Sequence, residues 1–99
     1  MTKTEVIERL RREKPYLRET FGLSQIGLFG SFACDRQTDE SDIDLVMEFE
    51  RSPGIMFVEL ADYMERVLKR KVDVLTVAGI SSIRNKGITK SIQESIIYV

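Results

Sequence analysis

The sequence predicts an α/β or α+β fold in which helices pack on one small sheet. Three observations carry that reading. Stretches with apolar residues three and four apart alternate with short runs rich in β-branched and aromatic residues. Glycine and proline fall mostly between these stretches. The chain has 99 residues, 42% hydrophobic and 31% charged. That size and balance suit a single core, so residues 1–99 are expected to form one domain.

The elements follow in order. Residues 4–14 place Val6, Ile7 and Leu10 at helical spacing with charges between them, and Thr4 is a candidate cap. Pro15 lacks an amide donor and clashes with the preceding turn, so it ends or kinks this helix. Pro15–Phe21 then reads as a second short helix that stops at Gly22. Residues 25–30, Gln-Ile-Gly-Leu-Phe-Gly, read as a short buried strand closed by glycine. Residues 42–49 alternate polar and apolar at their start and make a second strand. Ser52-Pro53-Gly54 is a turn. From Ile55 to Lys71, the residues Phe57, Leu60, Ala61, Met64, Val67 and Leu68 form one apolar helical face that packs on the sheet. Val72–Val77 is a third strand with Asp73 its single charge. Ile83, Ile88, Ile92 and Ile96 mark one or two short helices and a candidate apolar surface for a partner, and Ile97-Tyr98-Val99 a terminal edge strand.

Composition excludes several chemistries. The chain has no histidine, which removes Ser-His and Cys-His nucleophile pairs and imidazole metal sites. Its one cysteine, Cys34, cannot make an internal disulfide or a multi-thiolate zinc site, and reads as a small semi-buried residue. Carboxylates and backbone amides are left, and carboxylates select hard cations such as magnesium or manganese. The apolar runs are too short to span a membrane. The charged N-terminal stretch lacks the apolar core of a secretory signal, so a cytoplasmic location is expected. A net charge of -1 argues against direct nucleic-acid binding, which needs a basic face. That near-neutral total hides an acidic block at residues 35–51, where a cation is best sought.

Three features of the block and its flanks belong together. Gly30-Ser31 sits where a strand gives way to a new segment, Asp42-Ile43-Asp44 follows after ten residues, and Asp73 lies alone in an apolar strand. Residues two apart on a strand share a face, so Asp42 and Asp44 project together. Aspartate is a poor strand former, and two placed here run against local preference. Taken singly, Asp-x-Asp also suits a solvated strand face, Asp73 an edge charge paired with Arg70 or Lys71, and Gly30-Ser31 a turn with a serine cap. If the third strand neighbours the second, Asp73 joins the pair, and three carboxylates make an oxygen cage for one or two divalent cations. A glycine at a strand end allows close approach of a ligand, and a serine opening a helix suits a phosphate. Arg36 is placed to reach a phosphate or to pair with a neighbouring acid.

The run G-S-F-A-C-D-R-Q-T-D-E-S-D-I-D-L-V, from Gly30 to Val46, resembles the Gly-Ser-x10-Asp-x-Asp signature of the DNA polymerase β nucleotidyltransferase superfamily. More narrowly it is similar to the minimal nucleotidyltransferases, and the likeness extends through the Lys71–Leu75 strand to the Ile-Tyr-Val ending. The resemblance implies a nucleotidyltransferase fold, a small mixed sheet of three to four strands packed with helices. It implies Gly30 and Ser31 as phosphate-holding residues, with Arg36 standing two positions past the family's usual arginine. Asp42, Asp44 and Asp73 are implied as ligands of two Mg²⁺ ions, and Asp73 as the base. The implied reaction moves AMP from ATP to an acceptor hydroxyl. Minimal members are similar to antitoxins paired with HEPN-domain toxins, which they silence by adenylylating a tyrosine or by binding alone. Where the family often has Ala-Arg-Gly, this chain has Ala33-Cys34-Asp35. The three retained carboxylates favour the enzyme, and the missing arginine favours the binder.

Overall fold

The computed structural model describes residues 1–38, 40–51, 54–77, 79 and 84–99. The described residues form helix α1 (Lys3–Phe21), strand β1 (Leu23–Phe29), the single turn α2 (Gly30–Ala33), strand β2 (Ile43–Phe49), helix α3 (Met56–Leu68), strand β3 (Val72–Thr76), helix α4 (Lys86–Ser95) and strand β4 (Ile97–Tyr98). Ser52, Pro53 and Ile83 of the expected turn and isoleucine series lie outside the described residues, as does the side chain of Ile88.

The expected pair of N-terminal helices is one helix. Val6, Leu10, Leu17 and Phe21 are buried along a single stripe that runs through Pro15. Pro15 itself is exposed, and apolar burial along the stripe holds the helix together past it. The cap is Thr2 rather than Thr4: its side chain accepts from the Glu5 amide while the Glu5 carboxylate accepts from the Thr2 amide, a capping box. Gly22 ends the helix in the left-handed region, φ 73°, as expected.

The four strands lie in the order β3-β2-β1-β4. β1 pairs antiparallel with β2 and β4, while β2 and β3 are parallel. Parallel neighbours need a crossover, and α3 supplies it. Alternation then sorts the strand residues onto two faces. Ile26, Leu28, Ile43, Leu45 and Met47 join α1 and the Leu60, Met64 and Leu68 stripe of α3 in the main core. On the other face Phe29 and Val46 form a smaller cluster with Leu75, Ile92 and Ile96. Gly27 permits this second packing: a Cβ there would lie 2.6 Å from Ile96 Cγ2. The C-terminal isoleucines Ile92, Ile96 and Ile97 are therefore half-buried on the sheet rather than forming an open patch. The large exposed apolar side chains include Ile55 and Val58 at the start of α3, and Tyr98. Among the described residues no helix is long and apolar enough to cross a membrane.

Candidate active site

The second sheet face carries the acidic signature. β2 and β3 pair with Asp44 opposite Asp73, in parallel register, so both side chains leave the same face. On the other side of Asp44 stands Phe29 of β1. Asp42 precedes β2 by one residue instead of lying within it. The Ile43 amide donates to the Lys71 carbonyl at 2.9 Å, which ties the two strands together beside Asp42. Arg70 donates to the Ser41 carbonyl at 2.9 Å and lies 5.4 Å from the centre of the Phe32 ring. That contact fixes the residue immediately before Asp42. Asp73 lies exposed on the edge strand, as its alternative reading had it, but no ion pair joins it to Arg70 or Lys71 among the described residues.

The Asp44 carboxyl sits above the usual carboxylate range. Burial is the main cause, followed by the charges of Asp73 and then Asp42. Asp73 and Asp42 are thus both within electrostatic reach of Asp44. As they stand, however, no three Asp, Glu or Cys side chains among the described residues are gathered closely enough to hold a metal ion. The donor set, oxygen only and carrying charge that repels itself, fits a hard divalent cation that would draw it together.

Gly30 completes the constellation. Its φ is 74°, and a Cβ there would run into Asp44 Oδ2. The glycine serves both as the left-handed turn out of β1 and as the space the carboxylate occupies. α2 is a single turn with no side-chain cap, so Ser31 does not open an extended helix. The Arg36 amide donates to the Ser31 carbonyl at 2.9 Å. A cavity of about 410 Å³ is lined by Phe29, Gly30, Ser31, Cys34 and Arg36 together with Ile92 and Ser95 of α4. Cys34 is exposed at this cavity, not semi-buried. A larger cleft of about 630 Å³ lies between α1 and α3, around Tyr16 and Tyr63, and contains none of the signature residues.

Residues 6–99 match the sequence profile of the nucleotidyltransferase domain. The chain belongs to that family. A Methanocaldococcus jannaschii protein, provisionally assigned as a protein adenylyltransferase, is 42% identical over 101 residues, covering 99% of this chain and 98% of that protein. Protein adenylyltransferase MntA of Thermococcus cleftensis is 34% identical over 100 residues, covering 100% of this chain and 97% of the relative. Among solved structures, one described as a minimal nucleotidyltransferase superposes with a TM-score of 0.73 at 21% identity, over 98% of this chain and 95% of the other. A chain from the complex of tri-AMPylated Shewanella oneidensis HEPN toxin with MNT antitoxin superposes with a TM-score of 0.55 at 22% identity, over 97% of this chain and 66% of that one. These structural likenesses establish the nucleotidyltransferase fold, the mixed four-stranded sheet that the sequence resemblance implied.

Within this nucleotidyltransferase domain, the structure brings Asp44, Asp73 and Gly30 into direct neighbourhood, holds Asp42 in electrostatic reach, and puts Ser31 and Arg36 on the adjoining cavity. Sequence reasoning missed Phe29, Ile92 and Ser95 as cavity walls. Ile92 was legible only as an apolar helix position, and Ser95 gave no signal, because both reach the site through the packing of α4 on the sheet. The Thr2 cap did carry a signal, the Thr-x-x-Glu pattern of a capping box.

Proposed function

We propose that residues 1–99 act as one nucleotidyltransferase domain that moves AMP from ATP to a tyrosine hydroxyl of a HEPN-domain toxin, and so serves as the toxin's antitoxin. The observation that carries this reading is the register pairing of Asp44 with Asp73 on a sheet face that ends at Gly30-Ser31. The names of the relatives support protein adenylylation, and the HEPN complex among the structural neighbours supports the partner class.

In the reaction, the acceptor oxygen forms a bond to the α-phosphorus and the α–β anhydride bond breaks, releasing pyrophosphate. Asp73, exposed and without an ion-pair partner among the described residues, takes the acceptor's proton. Gly30 lets the Asp44 carboxylate lie close against the backbone. Ser31 and Arg36 hold the triphosphate from the cavity side. Asp42, Asp44 and Asp73 would hold Mg²⁺, which supplies charge neutralisation and a more acidic acceptor hydroxyl when bound.

Incubation with labelled ATP, Mg²⁺ and the HEPN partner tests the proposal. Label is expected on the partner's tyrosine, and chelation of the metal or the change Asp44→Asn is expected to abolish it. One observation favours a second reading, neutralisation by contact: the position where the family often has arginine is Cys34. Complex formation that protects the toxin's target with no label transfer would establish that reading and overturn the first.

A further inference from the structure

The chain has three tyrosines, and they stand in different chemical settings. The Tyr63 hydroxyl donates to Glu13, so it is already engaged. Tyr16 belongs to the same contact, its ring centre 4.9 Å from that of Tyr63. The helices that carry both, α1 and α3, cover the sheet face opposite the carboxylates. Tyr98 differs on each count. It pairs with Gly27 across β4 and β1, and a Cβ at Gly27 would lie 3.2 Å from Tyr98 Cδ1 and 3.1 Å from Val46 Cγ1. The ring therefore rests on the face that Val46 shares with Asp44 and, through the strand register, with Asp73. Tyr98 is 50% exposed, and its hydroxyl has no hydrogen-bond partner among the described residues. Resting on the protein-adenylylation reading, we infer that the chain is also its own substrate, and that one copy transfers AMP to Tyr98 of a second copy. The Tyr98 oxygen forms a bond to the α-phosphorus of ATP, the α–β anhydride bond breaks, and pyrophosphate leaves with the bonding electrons. The phenol proton passes to Asp73 of the acting copy. The anchoring of β4 makes the transfer intermolecular. Its ladder to β1 is extended by the Val99 amide donating to the Ile26 carbonyl at 3.0 Å and by Lys14 donating to the Val99 carbonyl at 2.7 Å. β4 also stands two strands from β2, about 10 Å at the usual spacing. An acceptor must align with the α-phosphorus, a freedom that a second copy has and this anchored strand lacks. With acceptor and carboxylates on one sheet face, a two-fold encounter presents each copy's Tyr98 to the other's carboxylates.

A mixture of two full-chain variants, with labelled ATP and Mg²⁺, is the test. Asp44→Asn supplies an acceptor that cannot transfer, and Tyr98→Phe a transferase that cannot accept. The phenylalanine keeps the ring over Gly27, and transfer to the HEPN partner by this variant is expected to match the wild type. Each variant alone is expected to lose the self-label that the wild type takes. In the mixture, label is expected on the Asp44→Asn chain, with AMP mapped to Tyr98 by mass spectrometry of its peptides. Should Tyr98→Phe not fold, untagged wild type with a size-tagged Asp44→Asn chain gives the same reading. An Asp44→Asn chain that stays unlabelled overturns the inference, as does label mapped to Tyr16 or Tyr63. Either result leaves the transfer reading standing where the HEPN partner is labelled. A wild type that labels neither itself nor that partner overturns both.

Discussion

Gly30 and Asp44 are matched to each other, and neither is replaceable alone. Any side chain at Gly30 meets the Asp44 carboxylate and also sits at φ 74°. Gly30→Ala is expected to cost about 1–3 kcal/mol in a thermal melt and to displace the carboxylate, so AMP transfer should fall further than stability does. Asp44→Asn should act in the opposite sense on the fold. Burial and the charges of Asp73 and Asp42 raise the Asp44 pKa from its ordinary 3.8, so the folded state holds that proton more tightly than the unfolded chain. Its ionised form therefore opposes folding at neutral pH, and this handicap lessens as pH falls through the raised value toward 3.8. Removing the charge is expected to leave stability unchanged or higher by about 0.5–2 kcal/mol while abolishing transfer. Melts across pH check both statements, because the variant lacks the wild type's gain on mild acidification. The acidic residues were legible because they break the local rules of the strands around them. Ser95 was not, since a serine near a helix end is ordinary until its neighbours in space are known.

At the scale of elements, local grammar is broken twice, once through burial. Pro15 reads as a helix end, yet α1 continues because Leu17 and Phe21 extend the buried stripe set by Val6 and Leu10. α3 ends on Lys69 in the left-handed region, φ 54°, where glycine is the common occupant. Lys69→Gly is expected to stabilise the chain by about 1 kcal/mol, read as a higher melting temperature with transfer unchanged. The contact between these two helices has a titration of its own. The Tyr63 hydroxyl of α3 donates to Glu13 of α1, and Tyr63 lies against Tyr16 with ring centres 4.9 Å apart. That hydrogen bond, then burial, then the Glu13 charge push the phenol up to about 12 from 10.0. A raised phenol pKa means the contact's stabilisation is complete below 10.0 and is lost as pH rises through about 12. Ultraviolet titration should find a phenol ionising near 12 that is absent from Tyr63→Phe.

Across the whole molecule, the two sheet faces divide the work. One is sealed by α1 and α3, and its periodicity made most of the fold legible from sequence. The other is covered by α4 around Phe29 and Val46 and carries the acidic residues. The residue pattern alone left open the parallel neighbourhood of β2 and β3, a contact between segments separated by α3 that only the family resemblance implied. Ligand binding should act on the molecule as a unit. MgATP at a hundred times its dissociation constant is expected to stabilise the wild type by about 2.7 kcal/mol, an effect that chelation of the metal removes and Asp44→Asn lacks. Thermal melts with and without chelator check this.

The parallel pairing of β2 with β3 also bears on the route by which the chain folds. Asp44 and Asp73 are remote in sequence and meet only when the α3 crossover closes, so their repulsion is felt at strand docking rather than in any local structure. If docking belongs to the folding nucleus, Asp44→Asn speeds folding and leaves unfolding unchanged. If the strands dock after the barrier, the same substitution slows unfolding alone. Chevron analysis of wild type and variant in metal-free buffer separates the two orders of events. Either result fixes when, in the life of the chain, its charged centre comes into being.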